Sequence, residues 1–180
     1  LTGIGEGRGR KAVFSSRIEE DAGNAPQDDC GLSHQGSRVL GTTRLVLRPY
    51  RDGDESAMFD NWCGREELAQ YLPWAPHKDR AVTKRILSDW LASYQNPRTY
   101  RWGIEMGGTL IGDIAVLQQS PVHLDCEIGY CLSPDYWNQG IMTEALIAVM
   151  DLLFAQVGFH RIYLRHQAEN QASGRVMRKA

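Results

Sequence analysis

The sequence is most informative over residues 127–146, which read EIGYCLSPDYWNQGIMTEAL. A strand pattern ends at Pro134, a short loop follows, and an almost wholly apolar helix pattern begins at Ile141. A corner of this kind directs several backbone N–H groups and the positive end of the helix dipole toward one point. The segment therefore favours a binding site for an anion such as pyrophosphate, although an ordinary strand-to-helix turn is the alternative that these residues leave open.

The same patterns predict the elements around this corner. Apolar alternation indicates strands at residues 44–49, 100–106, 110–117, 123–132 and 161–166. Helical spacing indicates helices at residues 54–63, 80–94, 141–154 and from residue 170 onward, and residues 71–76 form an aromatic, proline-rich loop. The order β-α-α-β-β-β-α-β-α predicts an α/β fold, in which helices cover the faces of an α+β mixed sheet.

Composition restricts the class of protein. The chain has 180 residues, 42% of them hydrophobic and 23% charged, and its formal net charge is −2, which argues against a basic surface for nucleic acid. The longest apolar run, residues 145–150, is far shorter than the ~20 residues that span a membrane, and the first residues lack a secretory signal pattern. The four cysteines have the spacing neither of a zinc site nor of a disulfide scaffold. We therefore expect a cytoplasmic protein with no metal, no nucleic acid and no membrane among its partners.

Residues 1–41 differ in composition from the rest of the chain. They contain 8 of the 18 glycines but only one aromatic residue, Phe14. A segment without aromatic anchors or apolar periodicity does not offset the entropy lost on ordering it. We predict a flexible extension over residues 1–41 and a single domain over residues 42–180.

Five stretches of the domain carry a resemblance to a known family. They are residues 43–50, 110–114, 127–130, 136–145 and 170–180. Together they resemble the GNAT superfamily of N-acetyltransferases, and most closely its RimJ/RimL-like branch. The resemblance implies the GNAT-like acyl-CoA N-acyltransferase fold and the transfer of an acetyl group from acetyl-CoA to a primary amine, most of all a protein N-terminal amine. It also implies a domain that continues past Ala180, so that the chain is truncated at its C-terminus with the final strands missing.

The resemblance implies a cofactor site built mainly from backbone groups. In the family, the loop after the fourth strand holds the CoA pyrophosphate, the strand before it pairs with the pantetheine arm, and an asparagine of the last helix binds that arm. The corresponding residues are Ile128, Gly129, Cys131, Leu132, Trp137, Asn138, Gln139, Gly140, Ile141, Met142, Thr143, Glu144, Asn170 and Ser173. Trp137 and Met142 depart from the family pattern, but binding by main-chain donors tolerates such changes. Asn170 is also a plausible helix N-cap, and the carboxylate of Glu144 is expected to point away from the anion.

The chemistry requires a neutral amine. An alkylammonium has a pKa of about 10.4 and an N-terminal ammonium one of about 7.8, so a proton must leave before the amine attacks a thioester. Glu127 is the first candidate for the base, directly or through water. Strand alternation places it on the same face as Asp125. A solvated strand carboxylate is the plain alternative for Glu127, and Asp125, Asp113 and His123 are the weaker candidates for the base.

The departing thiolate requires a proton donor. Many family members use a tyrosine where this chain has Met177, which cannot donate. The RimJ/RimL-like branch has a serine three residues after the helix asparagine, here Ser173, and Tyr130 is the second candidate. Cys126 or Cys131 could carry the acetyl group covalently, but no neighbouring base is indicated for either thiol. We therefore predict direct attack in a ternary complex.

Recognition of the acceptor is predicted for the two early helices and the loop between them. Trp62, Tyr71, Trp74 and His77 are candidates to line a peptide or amine groove, and core packing is the alternative for each aromatic residue. The acceptor could instead be a small-molecule amine (an aminoglycoside, a polyamine or an amino acid), and a non-catalytic CoA-binding module is the other alternative. The sequence leaves a monomer and a homodimer equally open.

Overall fold

A six-stranded mixed sheet forms the centre of the computed structural model, which describes residues 31–180. Its strands are β1 (Leu40–Gly41), β2 (Val46–Arg48), β3 (Arg101–Met106), β4 (Thr109–Ser120), β5 (Asp125–Leu132) and β6 (Arg161–Tyr163). They lie side by side in chain order, and each neighbouring pair is antiparallel except β5 and β6, which run parallel. The predicted α/β class with a mixed sheet is confirmed.

Five α-helices accompany the sheet in the described part of the chain. They are α1 (Glu55–Met58), α2 (Glu66–Ala69), α3 (Arg80–Ser93), α4 (Ile141–Leu152) and α5 (Gln171–Lys179). Helices α1 and α4 continue as π-helical turns over Phe59–Cys63 and Leu153–Val157, and a short 3-10 turn covers Pro134–Tyr136. The predicted order of elements is confirmed from β2 onward. The structure adds β1 and α2, which are too short to produce a periodic sequence pattern.

Local sequence explains where several elements begin and turn. Gly107 and Gly108 both adopt positive φ angles, 56° and 81°, and join β3 to β4 in the tight hairpin that two consecutive glycines favour. The side chain of Asp79 accepts a hydrogen bond from the N–H of Val82 and so caps the start of α3. Gly158, with a φ of 96°, ends the helical segment that contains α4.

The sheet separates two hydrophobic cores. On the face covered by α4, Trp102, Ile104 and Ile128 are each at most 2% exposed. On the face covered by α1 and α3, the buried residues include Met58 and Leu87. Because successive side chains of a strand point to opposite faces, the central strands contribute to both cores and form a firm platform for the site.

Residues 31–41 belong to the folded part of the protein, so the boundary predicted at residue 42 comes too late. Leu32 is only 1% exposed, the N–H of Ser33 donates to the carbonyl of Val157 at 2.8 Å, and the indole Nε1 of Trp102 donates to the carbonyl of Arg38 at 2.7 Å. These isolated anchors have no regular spacing, which explains why composition did not reveal them. Residues 1–30 of the predicted extension lie outside the described residues. No helix in residues 31–180 has the length and apolar character required to cross a membrane.

Candidate active site

A cleft opens where β5 and β6 diverge. The two strands pair only where residues 125–127 lie opposite residues 161–163, whereas β5 continues to Leu132. Within residues 31–180, the last five residues of β5 therefore have no strand partner on this side. The cleft has a volume of about 930 Å³ and is bounded by β5, by residues 136–143 and by residues 165–179, with an aromatic wall from the α1–α3 region opposite.

This cleft brings together nearly all the residues that the sequence predicts for the site. Every predicted catalytic, cofactor-binding and acceptor residue lines it except Glu144. One cavity thus contains residues of β5, of the loop before α4, of α5 and of the aromatic region. Up to about a hundred positions separate these residues in the chain. A site of this composition can hold two ligands that meet at β5.

The anion corner, defined here as residues 138–143, has the geometry that the sequence predicts. Asn138 and Gly140 have positive φ angles of 60° and 74°, and α4 begins at the next residue, Ile141. No side chain caps the helix, and the first N–H groups of an α-helix have no partner within the helix. These donors, together with the positive end of the helix dipole, fit a bound pyrophosphate.

Glu144 does not line the cleft, unlike the other residues that are predicted to bind the cofactor. Its N–H donates to the carbonyl of Gly140 at 3.1 Å, so that donor is already occupied. Its carboxylate accepts hydrogen bonds from Thr42 Oγ1 at 2.6 Å and from the Arg44 N–H and Nε at 3.0 and 2.7 Å. Partial burial opposes the charge, but these hydrogen bonds outweigh burial and lower the pKa of Glu144. The carboxylate thus points away from the anion corner, as expected.

Tyr130 and Ser173, the two predicted proton donors, lie in direct contact. Their hydroxyl oxygens are 3.0 Å apart, and the Tyr130 hydroxyl also lies 3.2 Å from the carbonyl oxygen of Ser173, to which it can donate. The side chain of Asn170 accepts a hydrogen bond from the Ser173 N–H at 3.0 Å and so caps α5. Burial raises the pKa of Tyr130, although its hydrogen bond with Ser173 acts in the opposite direction. The phenol therefore keeps its proton at neutral pH and can donate it.

Glu127 is buried, only 7% exposed, and forms an ion pair with Arg165. Arg165 Nε donates to Glu127 Oε1 at 2.9 Å, and Nη2 donates to Oε2. Sequence reasoning missed Arg165, because a single arginine just after a strand belongs to no motif. Among the alternative bases, Asp113 lines the cleft, whereas Asp125 and His123 do not.

Asp113 is fully engaged in a network on the acceptor face of the sheet. It accepts a hydrogen bond from the Tyr50 hydroxyl at 2.8 Å and bonds from Arg101 Nη1 at 2.8 and 2.9 Å. The guanidinium of Arg101 lies 3.9 Å above the ring centre of Trp90. These contacts pair Asp113 with Arg101 as Glu127 is paired with Arg165, so both carboxylates proposed as bases within the cleft are held in ion pairs.

The three described cysteines are poor nucleophiles. Burial raises the pKa of Cys63 and Cys126 to about 12, and it raises the pKa of Cys131 well above the ordinary value for a thiol. A nucleophilic cysteine requires its thiolate form, which these environments disfavour. Within residues 31–180, no cluster of histidine, cysteine or acidic residues could hold a metal ion.

The predicted acceptor residues form one wall of the cleft. Trp62 is only 1% exposed, so it contributes to the core as well as to the wall, in agreement with the packing alternative. The rings of Trp74 and His77 lie 5.4 Å apart, and His77 Nδ1 is 2.9 Å from Thr83 Oγ1. Burial lowers the pKa of His77, so its ring is neutral at pH 7. This wall offers aromatic surface and little charge.

The family of the chain follows from its similarity to known proteins. Residues 44–180 match the model of the acetyltransferase (GNAT) domain. An uncharacterized N-acetyltransferase of Bacillus subtilis (strain 168), YoaA, is 32% identical over 143 residues, which cover 78% of this chain and 80% of the relative. The chain belongs to the GNAT family, and it is an acetyl-CoA-dependent N-acetyltransferase.

Solved structures show the same fold. A putative ribosomal-protein-serine acetyltransferase from Vibrio cholerae superimposes with a TM-score of 0.71 at 20% identity, over 79% of this chain and 82% of that one. RimL, a ribosomal L7/L12 alpha-N-protein acetyltransferase in complex with coenzyme A, has a TM-score of 0.70 at 24% identity, over 78% and 81% of the two chains.

Proposed function

We propose that this N-acetyltransferase acts on the N-terminal amine of a protein or peptide, and that the amine attacks acetyl-CoA directly in a ternary complex. The observation that carries the proposal is the continuity of the cleft. It runs from the anion corner and the Tyr130–Ser173 pair, past Glu127, to the aromatic wall. A CoA thioester and a peptide end can therefore meet at β5 without a covalent enzyme intermediate.

The cofactor side of the cleft supplies the groups that CoA requires. The N–H groups of the anion corner face its pyrophosphate, and the unpaired edge of β5 over residues 128–132 can pair with the amide groups of pantetheine. Arg175 and Lys179 line the same cleft from α5 and add positive charge. When bound, acetyl-CoA supplies the thioester, and these residues hold it in place.

The charges on the acceptor side favour a peptide end over a polyamine. The two carboxylates there, Asp113 and Glu127, are each paired with an arginine, so neither is free to compensate a second or third ammonium group. The third carboxylate of the cleft, Glu169, is exposed and precedes α5. A peptide end brings a single ammonium group and amide groups that the aromatic wall accommodates. RimL, a ribosomal L7/L12 alpha-N-protein acetyltransferase, acts on a protein α-amine, and its similarity in fold supports the same acceptor class.

The reaction also requires two proton transfers, and side chains of the cleft carry them out. Glu127 accepts the proton of the ammonium group, directly or through water, by means of lone pairs that Arg165 leaves available. An N-terminal amine is the easier acceptor to activate, because its pKa of about 7.8 is lower than that of a lysine. The hydroxyls of Tyr130 and Ser173 hold a proton for the departing thiolate.

Acetyl-CoA consumption against a panel of amines tests the acceptor class. The panel contains a lysine-free peptide with a free N-terminus, the same peptide with a blocked N-terminus and one lysine, spermidine, and an aminoglycoside. We expect kcat/KM for the free N-terminus to exceed the other values at least about tenfold. Preference for spermidine or the aminoglycoside would overturn the proposal, and so would CoA binding without turnover of the peptide that has a free N-terminus.

The role of Glu127 is tested by Glu127→Gln, which preserves the shape of the side chain and a hydrogen bond to Arg165. We expect kcat/KM to fall about 100-fold while the Kd for CoA stays within about twofold of the wild-type value. Asp125→Asn is the matched control, because it removes a carboxylate from the same strand outside the cleft. Equal activity of the two variants would remove Glu127 from the mechanism.

A further inference from the structure

Arg44 joins the corner between β1 and β2 to the start of α4. Its Nε donates to Glu144 Oε2 at 2.7 Å and its backbone N–H donates to Glu144 Oε1 at 3.0 Å. Its Nη1 donates to the carbonyl of Gln139 at 3.0 Å. One side chain thus contacts both the loop before α4 and the first turn of the helix, and these contacts have no part in the proposed chemistry.

The bond to Gln139 controls the direction of a peptide group in the anion corner. The carbonyl of Gln139 and the N–H of Gly140 belong to one planar trans peptide unit, in which the two groups point in opposite directions. Because Arg44 binds the carbonyl of Gln139, the N–H of Gly140 points away from that contact and is left for another acceptor. Gln139 lies between two residues with positive φ angles, Asn138 and Gly140, and asparagine and glycine are the residue types that adopt this conformation most readily.

The bonds to Glu144 remove an electrostatic obstacle. A carboxylate in the first turn of α4 would repel a bound pyrophosphate if it turned toward the cleft. Thr42 and Arg44 hold it at the β1–β2 corner instead, and the arginine neutralises its charge. The guanidinium also packs on the turn itself, since a Cβ at Gly140 would lie 3.7 Å from Arg44 Nη2.

We propose that Arg44 is a positioning residue for the CoA pyrophosphate, which orients the Gly140 N–H and keeps the Glu144 charge away from the anion. The proposal rests on the binding of CoA in this cleft but not on the identity of the acceptor. It predicts that Arg44 affects ligands that carry the pyrophosphate and leaves the chemistry at the thioester unchanged.

Titration calorimetry with CoA tests this role without any acceptor. We expect Arg44→Ala to raise the Kd for CoA about fivefold, the effect of losing a hydrogen bond of ordinary strength. Arg44→Lys keeps the charge but cannot form the same fork of contacts, and we expect an intermediate value. Arg51→Ala is the matched control: this neighbouring arginine is 69% exposed and its nearest ion-pair distances are 3.8 and 3.9 Å, so the Kd should not change.

Kinetics with two acetyl donors distinguishes a positioning role of Arg44 from a general loss of structure in the variant. Acetyl-CoA carries the pyrophosphate and acetyl-pantetheine does not, so Arg44→Ala should lower kcat/KM about fivefold for the first and leave it unchanged for the second. At saturating acetyl-CoA, kcat should stay within about twofold of the wild-type value.

Equal CoA affinity in Arg44→Ala and the wild type would overturn the proposal, and so would equal losses with both donors. A wild-type protein that binds CoA but acetylates no N-terminal peptide would overturn only the proposed acceptor.

Discussion

In the proposed function, the two sides of the cleft recognise their ligands by different means. The cofactor side presents main-chain N–H groups at the anion corner and a strand edge on β5. The acceptor side is built from side chains, which are the aromatic wall and the ion pairs Asp113–Arg101 and Glu127–Arg165. A main-chain site depends on backbone conformation, so it survives substitutions that leave the backbone unchanged. A side-chain site changes whenever one member of a pair is replaced.

The departures from the family pattern illustrate the main-chain side. Trp137 and Met142 differ from the residues that the family has at these positions, yet the loop still places Asn138 and Gly140 at positive φ and opens α4 without a side-chain cap. The indole of Trp137 donates to the carbonyl of Leu132 at 2.8 Å and so fixes the loop to the end of β5. The backbone geometry of the anion corner is therefore held by other contacts.

The largest expected effect lies where the two sides meet. The double substitution Tyr130→Phe with Ser173→Ala removes both candidate proton donors, and we expect kcat to fall about 100-fold or more. The Kd for CoA should change little, because main-chain groups hold the pyrophosphate. Each single variant should lose less, since the remaining hydroxyl can replace the missing one. Stopped-flow or steady-state kinetics with CoA titration measures both quantities, and an unchanged kcat in the double variant would exclude this pair as the donor.

The second prediction concerns the acceptor side of the cleft, which is built from side chains. Asp113→Ala leaves the Arg101 charge without its partner in a largely buried position and removes the acceptor of Tyr50, so we expect unfolding to require about 3 kcal/mol less free energy. The matched control is Asp60→Ala, whose pair with Arg80 is at least half exposed on both sides and should contribute no more than about 1 kcal/mol. Urea denaturation of both variants checks the difference. Similar losses would show that the Asp113 network has no special structural role.

The third prediction concerns the cofactor side of the cleft, which is built from main-chain groups. Gly140→Val places a β-branched residue at a φ of 74°, and we expect the Kd for CoA to rise about tenfold because the strained turn shifts the N–H donors. Gln139→Ala is the control, since it removes only an exposed side chain whose amide donates to the carbonyl of Asp135 at 3.3 Å. If the two variants lost equal affinity, side chains rather than the backbone would dominate this side.

The smallest expected effect is a pH dependence of stability on the acceptor side. The pKa of His77 is lowered from 6.5 in the folded state, so the unfolded state binds the proton more readily. The contribution of His77 to stability is complete above about pH 6.5 and is lost as the pH falls below it. We expect a decrease of less than about 1 kcal/mol between pH 7 and 5.5, and His77→Gln should remove that component. A pH-independent difference between wild type and variant would contradict the assignment.

Much of the cofactor side could be predicted from the sequence because its determinants are local. The strand, the loop and the helix of residues 127–146 are contiguous, and their order already indicates the anion corner. Tyr130 and Ser173 are 43 positions apart in the chain, and only the resemblance to the family suggested that they share a site. The contacts of Glu144 could not be predicted from the sequence, because its partners Thr42 and Arg44 lie about a hundred positions away.

The sequence by itself determined the order of the elements from β2 onward, the family and the strand–loop–helix corner at residues 138–143. These features depend on apolar periodicity, glycine and proline positions and motif order, all of which act over a few residues. Only the tertiary structure decided that Arg165 pairs with Glu127, that Arg101 holds Asp113, that Arg44 orients the Gln139 peptide, and that residues 31–41 pack on the core. The β3–β4 hairpin brings Arg101 and Asp113 together, but the other contacts join residues far apart in the chain. Packing of the folded chain decides which residues meet there, and no local sequence pattern indicates it.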